Sequence, residues 1–213
     1  MGQPDSRPYR QGDHICALYG TSEEQAAVAA HYIADGLRHR ERCLFAADDA
    51  PALERFRAAL AGEGIDVADA EARTALIVLS KEEAHLVDGR FDCERILRTL
   101  SAGVEAALND GFARFRACGD VSWLLDHAPG SEDLVTYEAL LNEFFRSAHG
   151  LGMCQYDRRR LPAGLLDHAI AMHSTIVVDG LHKENPHYHA PLGADTLASA
   201  AGVHARIADL RRL

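Results

Sequence analysis

The residues with the greatest chemical potential in this 213-residue sequence are histidine and cysteine in short apolar segments. His14 and Cys16 alternate in HICALY, so in a strand both side chains lie on one face. Cys154 lies in a second such segment, GMCQY. If these strands are neighbours, an imidazole and two thiolates converge, a set that suits zinc or another soft metal. The alternative is that the cysteines pack as small apolar side chains, because cysteine is among the most buried residue types.

A phenol, a carboxylate and three guanidinium groups follow GMCQ directly, in Tyr156, Asp157 and the arginines Arg158, Arg159 and Arg160. Arginine binds carboxylates and phosphates in bidentate geometry, and ligands of open α/β sheets bind at the carboxyl ends of strands. We therefore predict ligand binding here, with a solvated charged surface as the alternative. Trp123, the only tryptophan, follows another strand candidate and is interpreted as either a pocket wall or a core residue.

The turn after HICALY occupies the position of a phosphate-binding loop, because a long helix follows it. A working loop reads GxxxxGK[ST], whereas this turn begins Gly20-Thr21-Ser22, has no lysine and continues into Glu23 and Glu24. Those carboxylates would repel phosphates. We expect nucleotide-binding topology without nucleotide hydrolysis. With no G-x-S-x-G elbow in the sequence, we expect a protein that is not an enzyme.

The elements that must position these residues follow from hydrophobic periodicity. The predicted strands are 14–19, 42–46, 76–79, 115–118, 152–156 and 175–178, and the predicted helices are 22–40, 51–61, 96–109, 131–149 and 162–173. This alternation predicts an α/β fold with an open, mostly parallel sheet and helices on both faces. Residues 1–11 are interpreted as a flexible lead-in to a domain over 12–191, and 192–213 as an amphipathic C-terminal helix. The His-rich segment 182–189 is predicted to be a loop covering a pocket.

Composition narrows the function classes. A formal charge of −10 repels phosphate backbones and argues against direct nucleic-acid binding. Five cysteines, an odd number, favour reduced thiols and a cytoplasmic location, and no apolar run is long enough to cross a membrane. No cofactor is expected.

Several segments, taken in order, resemble the MEDS domain, a sensory domain of methanogen and methylotroph regulators. They are GDHICALYGTSEEQ, GDVSWLL, YEALLNEFF, MCQYDRRRLP and ENPHY. The resemblance covers roughly residues 12–191 and implies a RecA/KaiC-like fold, usually with a degenerate phosphate loop. It also implies sensing of simple hydrocarbon derivatives and signalling to a histidine kinase or a transcription regulator. The chain reads His173-Ser174 where members often have His-Pro, which leaves any role of His173 open.

The resemblance further implies that the HICALY and MCQYD strands are neighbours, with Cys16 near Cys154. We therefore predict a small apolar pocket walled by Tyr19, Trp123 and Tyr156. The predicted ligand-binding residues are His14, Cys16, Tyr19, Gly20, Thr21, Trp123, Cys154, Tyr156, Asp157 and Arg158.

Two alternatives to this ligand sensor stay open. One is a regulator derived from an ATPase that binds a protein partner without a small ligand. The other is a metal or haem protein using His14, Cys16 and Cys154. A homodimer through the terminal helix is a further expectation.

Overall fold

The strands of this computed structural model, which describes residues 9–189, form one sheet in the order β3-β2-β4-β5-β1-β6-β7. Their bounds are β1 His14–Tyr19, β2 Arg42–Ala47, β3 Leu76–Ser80, β4 Phe115–Asp120, β5 Gly150–Asp157, β6 Thr175–Val178 and β7 Leu181–Glu184. The first six strands are parallel, and β7 pairs antiparallel with β6. The predicted terminal helix, 192–213, lies outside the described residues, as does most of the predicted lead-in.

Helices connect the strands and cover both faces of the sheet. They are α1 Ser22–Arg38, α2 Ala50–Gly62, α3 Val67–Ala72, α4 Lys81–Ala84, α5 Cys93–Asn109, α6 Leu134–Ser147 and α7 Ala163–Met172. Side-chain caps begin several of them: the Thr21 hydroxyl accepts from the Glu24 amide, and Asp92 accepts from the Arg95 amide. The predicted α/β class is therefore confirmed. None of the described helices is both long enough and apolar enough to cross a bilayer.

Two short α-helices and one strand lie outside the predicted set. Helices α3 and α4 have six and four residues, too few to show a helical period. Strand β7 (LHKE) is exposed along its length and takes up part of the segment predicted as a loop over a pocket.

The sheet separates two hydrophobic cores, because successive side chains of a strand point to opposite faces. Ile15 and Phe45 pack on the α1/α2 face. Cys16 and Tyr156 pack on the face covered by α5, α6 and α7. Neighbouring residues of β1 thus contribute to different cores, which decides what each can reach.

A buried ion cluster lies on the α1 face. Glu41 accepts from Arg114 through Oε1 and from Arg116 through Oε2, the latter at 2.7 Å, and Arg116 also donates to Asp35 at 2.9 Å. Glu41 and Arg116 have no exposed surface. Gly36 leaves room for the guanidinium group of Arg116, because a Cβ at position 36 would lie only 2.6 Å from Arg116 Nε. The glycine thus serves close packing, and α1 continues through it.

Candidate functional site

Four buried side chains that can each offer a metal-ligating atom meet on the α6 face of the sheet. His14 begins β1, Cys154 lies in β5, Glu138 lies in α6, and His173 follows α7 directly. Their ligating atoms all lie within 4.8 Å of one another. We call these four residues the His-Glu-Cys cluster.

Close contacts join the members of this cluster. The Nε2 atom of His14 lies 3.4 Å from Cys154 Sγ, 3.4 Å from Glu138 Oε2 and 3.2 Å from His173 Nε2. The Nε2 atom of His173 also lies 3.2 Å from Glu138 Oε2. The Tyr156 hydroxyl donates to the other carboxylate oxygen of Glu138 at 2.6 Å. The Nε2 atoms of His14 and His173 therefore both lie close to the same carboxylate oxygen, Glu138 Oε2.

The orientation of His173 is set by backbone groups. Its Nδ1 atom lies 2.7 Å from the carbonyl oxygen of Ala169. Because a carbonyl only accepts, Nδ1 carries a proton, and in the neutral ring Nε2 presents a lone pair to the cluster. The Asn185 side chain donates to the carbonyl oxygens of His173 at 2.7 Å and Ile170 at 2.6 Å. The segment after β7 thus anchors His173.

Burial controls the charges within the cluster. It lowers the pKa of His14 to about 3, and the positive charge of His173 acts in the same direction. Burial alone would raise the pKa of Glu138, but its interactions with His173, His14 and Tyr156 outweigh it, so that pKa is below its ordinary value. Burial and the Glu138 carboxylate raise the pKa of the Cys154 thiol. The arrangement favours a carboxylate at Glu138.

A cavity of about 60 Å³ lies between the sheet and helices α5 and α6, on the same face as the cluster. Its walls are largely apolar and include Leu44, Leu100, Ala117, Val121, Leu141 and Phe145. Cys154 belongs to both the wall and the cluster. Phe145 also touches both, because its ring centroid lies 5.7 Å from that of His14. The apolar space therefore borders the polar cluster.

The structure brings together part of the predicted metal set. His14 and Cys154 are in contact, and Cys16 is the register partner of Cys154 on β1. Cys16 is buried on the same face but does not belong to the cluster. Glu138 and His173 complete it instead.

The predicted pocket walls do not meet. Register pairs Leu18 with Tyr156 and Tyr19 with Asp157, so Tyr19 and Tyr156 point to opposite faces of the sheet. The Tyr19 hydroxyl donates to Asp120 Oδ2 at 2.7 Å, on the α1 face. Trp123 packs in the core of the α5/α6 face, with its ring 4.6 Å from that of Phe91. The prediction that Tyr19, Trp123 and Tyr156 jointly form the walls of one pocket is therefore wrong.

The remaining predicted site residues are engaged locally around the turn after β1. The Gly20 amide donates to Glu24 Oε2 at 2.7 Å, and the Thr21 hydroxyl caps α1. Asp157 Oδ1 accepts from the Arg159 amide at 2.9 Å. Arg158 forms an ion pair with Asp179 at 3.1 Å. These contacts order the turn with the chain's own groups.

Sequence reasoning missed Glu138 as a site residue, although a signal was present. Leu134, Tyr137, Leu141 and Phe145 form a buried helical stripe, and Glu138 interrupts it. A single carboxylate within an apolar stripe needs a buried partner, which marks it as a candidate. His173 carried a weaker signal, because its contact with the cluster depends on how α7 ends.

The fold is similar to that of solved structures with low sequence identity to this chain. It is similar to the crystal structure of a KaiC-like protein from the hyperthermophilic archaeon Pyrococcus horikoshii OT3. The TM-score is 0.52 at 14% identity, covering 79% of this chain and 71% of that one. It is also similar to the flagellar accessory protein FlaH from Methanocaldococcus jannaschii, with a TM-score of 0.54 at 12% identity, covering 81% and 75%.

Sequence comparison defines the family more narrowly. The family model of the methanogen/methylotroph, DcmR sensory domain matches residues 13–174, most of the chain. The chain therefore belongs to the MEDS family of sensory domains. A search of curated proteins finds no match to this sequence.

Proposed function

We propose that this domain senses a small, weakly polar molecule of the hydrocarbon-derivative class, which binds in the apolar cavity beside the His-Glu-Cys cluster. It relays the signal to a separate partner, such as a histidine kinase or a transcription regulator, and catalyses no reaction. Membership of a sensory family supports the role. The observation that carries the proposal is the apolar cavity whose wall includes Cys154.

The size and chemistry of the cavity define the class of ligand. Its volume of about 60 Å³ is several times the roughly 10–15 Å³ needed for one water molecule, so it suits a molecule of a few heavy atoms. Apolar walls with few polar groups favour weakly polar ligands. Among its polar wall residues are Thr99, His85 and Cys154.

Helix α6 is the element through which binding would be communicated. It contributes Leu141 and Phe145 to the cavity and Glu138 to the cluster. A ligand signals only if it favours one arrangement of such an element over another. A shift of α6 on binding would alter the protein surface that a partner reads.

The turn after β1 supports the non-catalytic part of the proposal. The Gly20 amide, in the position where a phosphate would be bound, already donates to the Glu24 carboxylate. A nucleotide would have to displace that contact and approach two acidic side chains, Glu23 and Glu24.

Ala117→Val tests the cavity directly, because Ala117 lines it from β4. Thermal unfolding is measured with small alcohols, aldehydes, halocarbons and Mg·ATP. A ligand at one hundred times its Kd should stabilise the wild type by about 2.7 kcal/mol. Ala117→Val should fold and lose this shift, since the added methyl groups fill the cavity.

Ala102→Val is the matched control, because Ala102 is exposed on α5. It should keep the full ligand shift. An equal shift in Ala117→Val, or no shift of the wild type with any of these compounds, would refute the cavity as the site. Stabilisation by Mg·ATP alone would favour a nucleotide-binding regulator instead.

A further inference from the structure

We infer that the His-Glu-Cys cluster is a binding site for one divalent transition-metal ion of the zinc type, held by His14 Nε2, Glu138 Oε2, Cys154 Sγ and His173 Nε2. Imidazole, thiolate and carboxylate are all ligands that zinc accepts. The inference is independent of the ligand proposed for the cavity, since the metal would contact only these four side chains.

The spacing of the ligating atoms fits a tetrahedral ion. Zinc bonds of about 2.0–2.1 Å to nitrogen or oxygen and about 2.3 Å to sulfur place neighbouring ligand atoms about 3.3–3.6 Å apart. Four of the separations in the cluster are 3.2, 3.2, 3.4 and 3.4 Å. All six separations lie within 4.8 Å, so small shifts of the side chains would seat an ion among the four atoms.

In this tautomer of neutral His173, the Nε2 atom has a lone pair that can bind a cation. With Nδ1 donating to Ala169, Nε2 of the neutral ring points at Glu138 Oε2 and His14 Nε2. Among residues 9–189 no donor is aligned to hydrogen-bond Glu138 Oε2, although Glu138 has no exposed surface. A buried acceptor without a donor is costly, and a metal ion would satisfy it. The competing arrangement is an extra proton on His173.

The groups behind two of the ligands, His173 and Glu138, are of the kind that support metal ligands in known sites. Metal-ligating histidines typically donate their other ring nitrogen to a carbonyl or carboxylate, and ligating carboxylates are themselves hydrogen-bonded. Here Ala169 accepts from His173, and Tyr156 donates to Glu138 Oε1. Four protein ligands also leave no open position, which is typical of structural rather than catalytic zinc sites.

The first experiment measures metal in the full chain, purified from cells grown with added zinc. We expect about one zinc ion per chain. Refolding the metal-free protein with Co²⁺ should produce visible d–d bands and a thiolate-to-cobalt charge-transfer band. Less than 0.1 metal ion per chain together with no cobalt bands would overturn the inference.

Variants then identify the ligands. Cys154→Ser should lose the charge-transfer band, whereas Cys43→Ser, a buried thiol on the α1 face, should keep it. Tyr156→Phe should retain the cobalt spectrum but bind about 10–100-fold more weakly, because it loses only the support of Glu138. An unchanged charge-transfer band in folded Cys154→Ser, or unchanged affinity in Tyr156→Phe, would contradict the assignment. If Cys154→Ser fails to fold, the cobalt titration of the wild type and of Tyr156→Phe still tests whether the cluster binds a metal ion.

Discussion

Two buried carboxylates on opposite faces of one sheet have different surroundings. On the α1 face, both oxygens of Glu41 accept from the guanidinium groups of Arg114 and Arg116. On the α6 face, Glu138 Oε1 accepts a hydrogen bond from the Tyr156 hydroxyl. The Nε2 atoms of His14 and His173 lie close to the other oxygen, Oε2, but neither is aligned to donate a hydrogen bond to it.

The difference separates structure from function within a single domain. Guanidinium cannot lose its proton, so the Glu41 cluster is locked in one charge state. Imidazole can bind a proton, a metal or neither, so the Glu138 cluster can change state. An apolar cavity adjoins the adjustable cluster. We therefore expect the α1 face to provide stability and the α6 face to provide the response.

Glu41→Gln should give the largest effect on stability. Removing this carboxylate leaves two buried guanidinium groups without their main counter-charge, so we expect a loss of about 3–5 kcal/mol in the free energy of unfolding. Urea denaturation measures it. Glu94→Gln is the control, because the exposed Glu94–Arg98 pair at 3.5 Å should contribute less than about 1 kcal/mol. A loss of less than about 1 kcal/mol in the free energy of unfolding of Glu41→Gln would contradict the expectation that this cluster stabilises the fold.

Glu138→Gln should cost less, about 1–2 kcal/mol in the presence of a chelator. The glutamine oxygen can still accept from Tyr156, and burial already keeps His14 uncharged at neutral pH by lowering its pKa to about 3. Urea denaturation with EDTA measures this cost, and repeating it with saturating Zn²⁺ should widen the gap to wild type. A metal-free cost as large as that of Glu41→Gln would erase the distinction between the two faces.

His85 should give the smallest effect and show which face responds to pH. Burial lowers its pKa from 6.5 to about 4, with a partial offset from the Glu138 charge. Between these values the unfolded chain binds a proton that the folded chain does not, so stability is lost as pH falls below 6.5. Because the side chain is partly exposed, we expect about 1 kcal/mol lost from this residue between pH 7.5 and 5.5.

His85→Phe keeps a ring beside Trp123 and should remove this component from the pH dependence. Ala102→Val, at an exposed position on α5 with no titratable group, supplies the control, and its pH dependence should match that of wild type. Urea denaturation at the two pH values measures both. Identical pH dependence in His85→Phe and wild type would show that the α6 face does not respond through this residue.

Local sequence signals were sufficient for most of the fold. The apolar run HICALY gave a strand with the predicted bounds, His14–Tyr19, because continuous apolar residues suit a strand buried on both faces. Helix α1 begins at Ser22, the start predicted from the sequence pattern, with Thr21 as its N-cap. The sequence pattern also indicated His14 and Cys154 as candidate site residues, and the structure places these two side chains in contact.

Tertiary structure alone decided which candidates meet. Whether Tyr19 or Leu18 shares a face with Tyr156 depends on the register between β1 and β5, and a shift of one residue reverses it. His14 and His173 are 159 positions apart, yet their ring nitrogens are 3.2 Å from each other. Strand order, register and the end of α7 set that distance, and each depends on packing across the whole sheet. Residue types therefore determined which chemistry is available, and the packed chain determined where it is assembled.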